Sequence, residues 1–447
     1  MTKKSKKDNL NIEVKYLTRV EGHGNIIVKI KNGQLSDCRF EVIESPRFFE
    51  SMLVGRSIYE AQHLTSRICG ICACGHSLAS IKAAEAALSI KPSPQTVMLR
   101  ELLLHAETMD SHLLHFYILV APDLLGVKSI FPLIKTHRKV IDIALRMKKM
   151  SDYMSEILAG RHVHPISYVI GGLTKLPSEK NLAKIRKLMI ESRKDYETTI
   201  EVFGTLKLPE FQRATQYVSL KQPGKYAYLN GNIYVSSTEK STDPQDYLTL
   251  VNEFIRAYST AKFSSIRDNS YTVGALARFN NNFKFLHPEA KKAAGKLGLK
   301  PPCHNPYLNT LAQVVEWRHC LEESINIIDR LLDKGLDEKA SLVTSWPVQE
   351  KRPVRVNPGR GVGAVEVPRG TLYHDYTVDK HGIIKRANCI IPTGQNLFNL
   401  EDDMKKIVPE LVAEKSKEQV QLELEMLARA YDPCISCSTH LLEVNFA

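Results

Sequence analysis

The sequence predicts a mainly α fold of the α+β kind: a bundle of long helices with small antiparallel sheets at its periphery. Three observations predict it. Apolar residues recur at a helical period over 97–120, 182–202, 247–261 and 311–332. Asn32-Gly33 and Asn230-Gly231 each lie between short β-prone runs, the signal of a tight hairpin turn. The 447 residues are 43% hydrophobic and 25% charged. That composition excludes disordered and fibrous chains and can bury a sizeable core.

Residues 1–45 read as an N-terminal β-hairpin region, with strands at 26–30 and 35–43 about Asn32-Gly33. The helix over 97–120 places Leu99, Leu102, Ala106, Met109, Leu113, Phe116 and Val120 on one face. A second strand pair is expected at 226–229 and 233–235, and a third at 371–378 and 383–391. The Pro- and Gly-rich stretch 353–370 reads as a long loop. The last helix starts at a capping box, Ser416-x-x-Gln419, and stops at Asp432-Pro433, because proline cannot continue a helix interior. No internal repeat or linker divides the chain, so 1–447 is read as one domain with a short tail at 441–447.

The net charge is +12, and four lysines fall within the first seven residues. No nucleic-acid-binding pattern accompanies the charge, so it reads as a solvated basic surface and no nucleic-acid partner is expected. The lysine-rich start lacks the apolar core of a signal peptide. No run of about 18 apolar residues occurs to span a membrane. A cytoplasmic protein is expected.

The nine cysteines are too sparse for a disulfide scaffold. Five lie in two clusters at opposite ends of the chain: Cys69-x-x-Cys72-x-Cys74, with Arg67 before it and His76 after, and Asp432-Pro433-Cys434-x-x-Cys437-x-x-His440. A C-x-x-C turn aims two thiolates at one point, and two turns supply four soft donors. From the cysteines alone, structural zinc, an iron–sulfur cluster and a catalytic nickel site remain open.

The residues around the cysteines resemble the large subunit of nickel–iron hydrogenases over essentially the whole chain. The resemblance is carried, in the family's order, by Arg19-x-Glu21-Gly22-His23, Arg47-x-x-Glu50 with Gly55-Arg56, the first cysteine motif, and Gly160-Arg161 with His164-Pro165 and Gly171-Gly172. Val367-Pro368-Arg369-Gly370, Pro392-Thr393-x-x-Asn396 and the second cysteine motif follow. It implies reversible oxidation of dihydrogen to protons and electrons. Cys69 and Cys434 would be terminal nickel ligands, and Cys72 and Cys437 would bridge nickel to an iron carrying cyanide and carbonyl. Cys434 as a terminal thiolate and Glu21 as the relay carboxyl would take protons. Arg369 would stand as a fixed cation over the open metal position, and with Thr393 would donate hydrogen bonds to the cyanides. His76 would donate to the bridging thiolate. Glu50, the backbone oxygen of Cys389 and His440 would hold magnesium or a second iron.

No cysteine set remains for an electron-transfer cluster, so the resemblance implies that the partner is an iron–sulfur small subunit. It also implies further electron-transfer subunits of flavin or heterodisulfide-reductase type. The tail 441–447 matches the segment that a maturation protease removes in the family. His440 argues against the membrane-bound energy-converting branch; the ending most resembles cytoplasmic cofactor-coupled hydrogenases, including the non-deazaflavin, methyl-viologen-reducing group. Two other classes share the pattern in part: a hydrogen sensor with slow turnover, and a nickel-free scaffold like the homologous subunit of NADH:quinone oxidoreductase, which lacks the cysteine set.

Three further features tempt a functional reading. His105, His112 and His115 lie near one helix face but read as core residues under the site rather than zinc ligands. Gly359-x-Gly361-x-Gly363 lacks the strand–turn–helix context of a phosphate loop. Cys74 reads as a small core residue rather than a redox-sensitive thiol.

Overall fold

The computed structural model describes residues 9–343 and 356–439. Among them, seven helices exceed ten residues: α1 (Ala73–Leu88), α2 (Pro94–Leu113), α3 (Arg138–Ala159), α4 (Glu179–Thr205), α5 (Asn309–Lys334), α6 (Pro392–Glu414) and α7 (Lys417–Ala430). Helices α2 and α5 form the centre, with α3 and α4 packed outside them. Leu99, Leu102, Leu103 and Met109 of α2 meet Val314, Trp317, Leu321 and Ile328 of α5 in one buried cluster. Burying a side chain of this size contributes about 1.5–3 kcal/mol. Beyond its last regular turn, α2 widens into a π-type turn over Leu114–Val120. Helices α3 and α6 extend the bundle beyond the segments that periodicity predicts.

Among the described residues, three sheets of three or more strands and two two-stranded ones accompany the helices. Strands β1 (Leu10–Val14), β2 (Gly24–Lys31) and β3 (Gln34–Val42) form an antiparallel sheet. Asn32 and Gly33 both take positive φ, 52° and 76°, as an inverted two-residue turn requires. The second sheet holds β4 (Gln216–Lys221), β5 (Asn232–Val235) and β6 (Lys240–Thr242), with Tyr271–Thr272 parallel to β4. The third holds β7 (Gly359–Val367), β8 (Gly370–Val378) and β9 (Ile384–Ile390).

Three expectations are corrected. Residues 226–229 form no strand; β5 pairs with β4 and β6 instead. A Cβ on Gly231 would lie 2.9 Å from the Lys221 carbonyl oxygen, so Asn230-Gly231 brings the chain against β4 rather than reversing it. Residues 247–261 form no α-helix: a short 3-10 helix over Pro244–Thr249 leads into the hairpin Val251–Phe254/Phe263–Ile266. In the loop joining its strands, Thr260 donates its amide to Val42 O and its hydroxyl to Val42 O and Glu44 O. Such side-chain bonds compete with a helical ladder. Within 353–370, residues 359–367 are a buried strand rather than loop. Its alternate glycines face α1, where a Cβ on Gly361 would lie 2.2 Å from Ala83 O and one on Gly363 2.0 Å from Ala79 O. The glycines let helix backbone approach sheet backbone; they cradle no phosphate.

Four chain ends or turns converge through this arrangement: the N-terminus of α1, the tight β7–β8 connection at Arg369, the first turn of α6 at Thr393, and the exit of α7 at Asp432.

Candidate metal centre

Cys69, Cys72, Cys434 and Cys437 are all buried, and their sulfurs lie within 4.8 Å of one another. The first cysteines of the two motifs face each other, with Cys69 Sγ 3.5 Å from Cys434 Sγ. The second cysteines do the same, with Cys72 Sγ 3.5 Å from Cys437 Sγ. The sulfurs of Cys434 and Cys437 lie in contact. Among the described residues this is the single group of metal-ligating side chains within common reach.

Local sequence explains each half. Cys72 is the N-cap of α1, so the first motif sits at the positive end of that helix. Ile71 N and Cys72 N each donate to Cys69 Sγ at 3.3 Å. Cys69 is pushed below the usual thiol range, first by its hydrogen bond with Cys72, with Arg369 helping and burial opposing. The second motif leaves α7 through Asp432, which takes a left-handed φ of 50°; Pro433 disfavours a further helical turn there.

The surrounding residues tie the halves together. Glu21 O accepts from Ile435 N at 2.9 Å, and Glu21 Oε2 from Ser436 N at 3.0 Å. A Cβ on Gly22 would lie 2.7 Å from Ile435 Cβ, so this approach needs glycine. Arg47 Nη2 donates to Ile68 O and to Ser436 O, both at 2.5 Å, and thereby joins the two motifs with one guanidinium. Thr393 Oγ1 accepts from Cys434 N at 2.9 Å, which leaves its own hydroxyl proton to give.

Arg369 is buried; its Nε donates to Asp432 O at 2.8 Å. Its Nη2 lies 3.0 Å from Asp432 Oδ1 but makes no aligned hydrogen bond, and Asp432 Oδ1 is likewise unsatisfied. Burial works against its charge, but Asp432 and the Cys72 and Cys69 thiolates outweigh burial and hold the proton firmly.

The structure places Glu21, Arg369 and Thr393 around the loops that carry the four cysteines. His76 lies beside them, with Nδ1 3.2 Å from His374 Nε2. Glu50 Oε1 accepts from Cys389 N at 2.8 Å and from Lys262 Nζ at 3.0 Å. His440 and the tail 441–447 lie outside the described residues. The three histidines are core residues: His105 meets Ser324, His112 meets Glu316, and His115 meets Gln313 and Arg429 O. Cys74 is buried, and burial raises its thiol well above the usual range.

Sequence reasoning missed Lys262, Gln313 (which donates to Asp432 Oδ2 at 3.0 Å), Glu107 and the linking role of Arg47. Only Arg47 carried a signal, its place in the Arg47-x-x-Glu50 motif.

Four buried cysteine sulfurs within common reach, beside a buried guanidinium whose Nη2 makes no hydrogen bond, are the donor set of a thiolate-ligated metalloprotein; soft donors of this kind suit nickel and iron. Known proteins agree. The sequence profile described as nickel-dependent hydrogenase matches residues 47–140 and 218–440, and one described as HoxL-like matches 11–45. The chain is 32% identical over 442 residues to the alpha chain of sulfhydrogenase 1 of Pyrococcus furiosus, covering 97% of this chain and 99% of that protein. It is 31% identical over 471 residues to the corresponding chain of the F420-non-reducing hydrogenase of Methanothermobacter marburgensis, covering 96% and 94%. The crystal structure of an NAD+-reducing [NiFe]-hydrogenase in the H2-reduced state superposes with a TM-score of 0.86 at 26% identity, covering 96% of this chain and 99% of that one. The chain belongs to the nickel-dependent hydrogenase family, as its large, catalytic subunit. It is one component of a multi-subunit enzyme, and the four-cysteine cage is the part suited to a nickel–iron centre.

Proposed function

We propose that Cys69 and Cys434 hold nickel terminally and that Cys72 and Cys437 bridge it to an iron bearing cyanide and carbonyl, for reversible oxidation of dihydrogen. The observation that carries this reading is the pairing of sulfurs, first with first and second with second, each at 3.5 Å. When bound, the nickel–iron group supplies a soft redox centre that polarises dihydrogen and takes up its electrons.

The protein's own groups handle protons and shape. Cys434 Sγ accepts a proton at the cage. Glu21 carries it outward at Oε1, since Oε2 is held by Ser436 N; the residue is partly exposed, so its carboxyl connects the buried cage to solvent. Arg369 Nη2 and Thr393 Oγ1 orient the cyanides, and the Arg369 guanidinium fixes positive charge in a water-poor site, where it acts most strongly. His76 donates to the bridging thiolate of Cys72.

Glu50, the Cys389 carbonyl and His440 form the proposed magnesium or second-iron site. Glu50 shares the ammonium of Lys262 with Glu253, and its carboxylate oxygens are hard donors of the kind a dication such as magnesium takes.

Electrons leave through an iron–sulfur small subunit, because the remaining described cysteines are single and buried. Phe48, Met52 and Val54 are 43–48% exposed beside Arg47 and Glu50, an apolar face next to the cage that suits a permanent partner. Further electron-transfer subunits, cytoplasmic location and proteolytic removal of 441–447 complete the reading. No described helix is long and apolar enough to cross a membrane.

The test is elemental analysis and infrared spectroscopy of the complex purified from its native host. Nickel and iron in comparable amounts, with cyanide and carbonyl bands, are expected. Zinc alone, or no metal and no bands, overturns the reading.

A further inference from the structure

The amides at the start of α1 are divided between two acceptors. Ile71 N and Cys72 N serve Cys69 Sγ. Cys74 N donates to Glu107 Oε2 at 2.7 Å, and Gly75 N to both Glu107 oxygens at 3.1 Å. Glu107 is a buried residue of α2.

An N-cap side chain ordinarily accepts from the second and third amides of its helix. For α1 the N-cap is Cys72, and those amides belong to Cys74 and Gly75. Cys72 accepts neither, and the first turn of α1 carries no acidic residue. Glu107 takes the place of the cap, its two side-chain oxygens accepting the amides at the start of the helix. The close approach is built in: a Cβ on Gly75 would lie 2.8 Å from Glu107 Oε1 and 2.1 Å from Val367 Cγ1. Glu107 is also coupled to the cage. Burial pushes its carboxyl up to about 8, with the Cys69 thiolate adding and the Gly75 and Cys74 amides and Arg369 opposing.

We infer that Glu107 is a positioning residue for the metal centre: it takes the Cys74 and Gly75 amides that Cys72 Sγ would otherwise cap, and so leaves that sulfur's electron pairs for two metals. The two thiolates of the first motif are thereby made unequal donors. Cys69 Sγ is weakened as a donor by two amide hydrogen bonds, whereas Cys72 Sγ takes no amide of the helix start and carries only the bond proposed from His76. The inference rests on the assignment of Cys72 as the bridging ligand.

The test compares E107Q and E107A with wild type in the whole purified hydrogenase, with E85Q as control. Glu85 is a buried carboxylate of the same helix, α1, paired with Arg100 at 2.6 and 2.8 Å and away from the cage loop. With the amides returned to Cys72, the bridge donates less to iron, so the carbonyl band of E107A moves to higher wavenumber and that of E107Q moves the same way by less. Turnover falls by about 10–100-fold, as is typical when a ligand's hydrogen-bonding partner is lost. E85Q lowers the unfolding midpoint without moving the band. Should E107A take up no nickel, E107Q carries the measurement. A carbonyl band in the Glu107 variants that coincides with wild type, or that moves equally in E85Q, overturns the inference. Wild-type enzyme without cyanide and carbonyl bands would overturn the underlying ligand assignment instead.

Discussion

Two buried arginines sit on either side of the Val367-Pro368 turn and meet opposite fates. Arg278 uses its whole guanidinium: Nε and Nη2 fork onto Glu316 at 2.7 Å each, Nη1 reaches Glu366 at 2.9 Å, and Nη1 and Nη2 take Val367 O and Pro368 O at 2.9 Å. Glu316 in turn receives His112 at 2.7 Å and Tyr226 at 2.6 Å. Arg369 keeps one good bond to Asp432 O, a 3.4 Å contact with Ser111 and an unaligned 3.0 Å ion pair from Nη2 to Asp432 Oδ1, so that Nη2 makes no hydrogen bond beside the cysteines. The difference separates mounting from function. Buried polar groups are almost always satisfied, so the saturated arginine fixes the backbone from which the unsaturated one projects, and the unspent donor marks where a ligand belongs.

The largest effect should come from breaking the mount. R278M leaves the Glu316 and Glu366 carboxylates buried without their cation, a loss of about 3–5 kcal/mol. Thermal or denaturant unfolding of the complex checks it; an R278M enzyme of wild-type stability would erase the distinction. R369K should do the reverse. Lysine keeps a charge opposite Asp432 but loses the planar fork, so turnover drops by about 10²–10³-fold, as when a preorganised donor is removed from a reacting centre, while nickel content and the unfolding midpoint stay close to wild type. Wild-type turnover in R369K would mean that Arg369 is only another strut.

The saturated interior also makes a prediction about acid. Burial holds His105 and His319 at about 3, with Lys225 adding to the push on His105 and His105 to that on His319. Both are therefore neutral when folded and charge near pH 6.5 when unfolded. The unfolded state binds more protons below that point, so this stability is complete above about pH 6.5 and is lost as pH falls toward 3, at about 1.4 kcal/mol per pH unit for each histidine. Unfolding midpoints measured from about pH 7 down to pH 5 should fall, and the H319F variant should show a shallower slope.

The mount and the site were unequally legible in the sequence. The cysteines announced themselves, because metal chemistry demands particular residue types at short spacing; Arg369 and Thr393 came only through motifs shared with the hydrogenase family. Asn32-Gly33 and the α2 stripe followed from local geometry in the same way. Arg278, Glu316 and Glu107 are each one polar residue among several in their helices, and nothing nearby in sequence says what each meets after folding. The 359–367 strand was hidden for a related reason: its glycines are required by the α1 backbone lying on them, a contact formed with residues far away in the chain. Asn230-Gly231 shows the limit from the other side, since a sound local turn signal was overruled by pairing with β4.

The smallest predicted effect asks whether site and scaffold can be moved independently. Helix α7 delivers Asp432 and Cys434, yet its start is far from them along the chain. Ser416 Oγ accepts from Gln419 N at 3.4 Å, and Gln419 Oε1 from Ser416 N at 3.0 Å, the reciprocal capping pair. S416A removes one half of it and should cost about 1 kcal/mol. The other end of α7 is anchored separately: Arg429 donates to both Asp123 oxygens, at 2.6 and 3.1 Å, and to Thr18 O at 3.0 Å. Fraying at the start should therefore stop before the exit, so S416A should lower the unfolding midpoint slightly and leave the carbonyl band and turnover at wild-type values. A band shift in S416A would show that strain at one end of α7 reaches the cysteines at the other, and that the cage depends on the whole helix rather than on its local anchors.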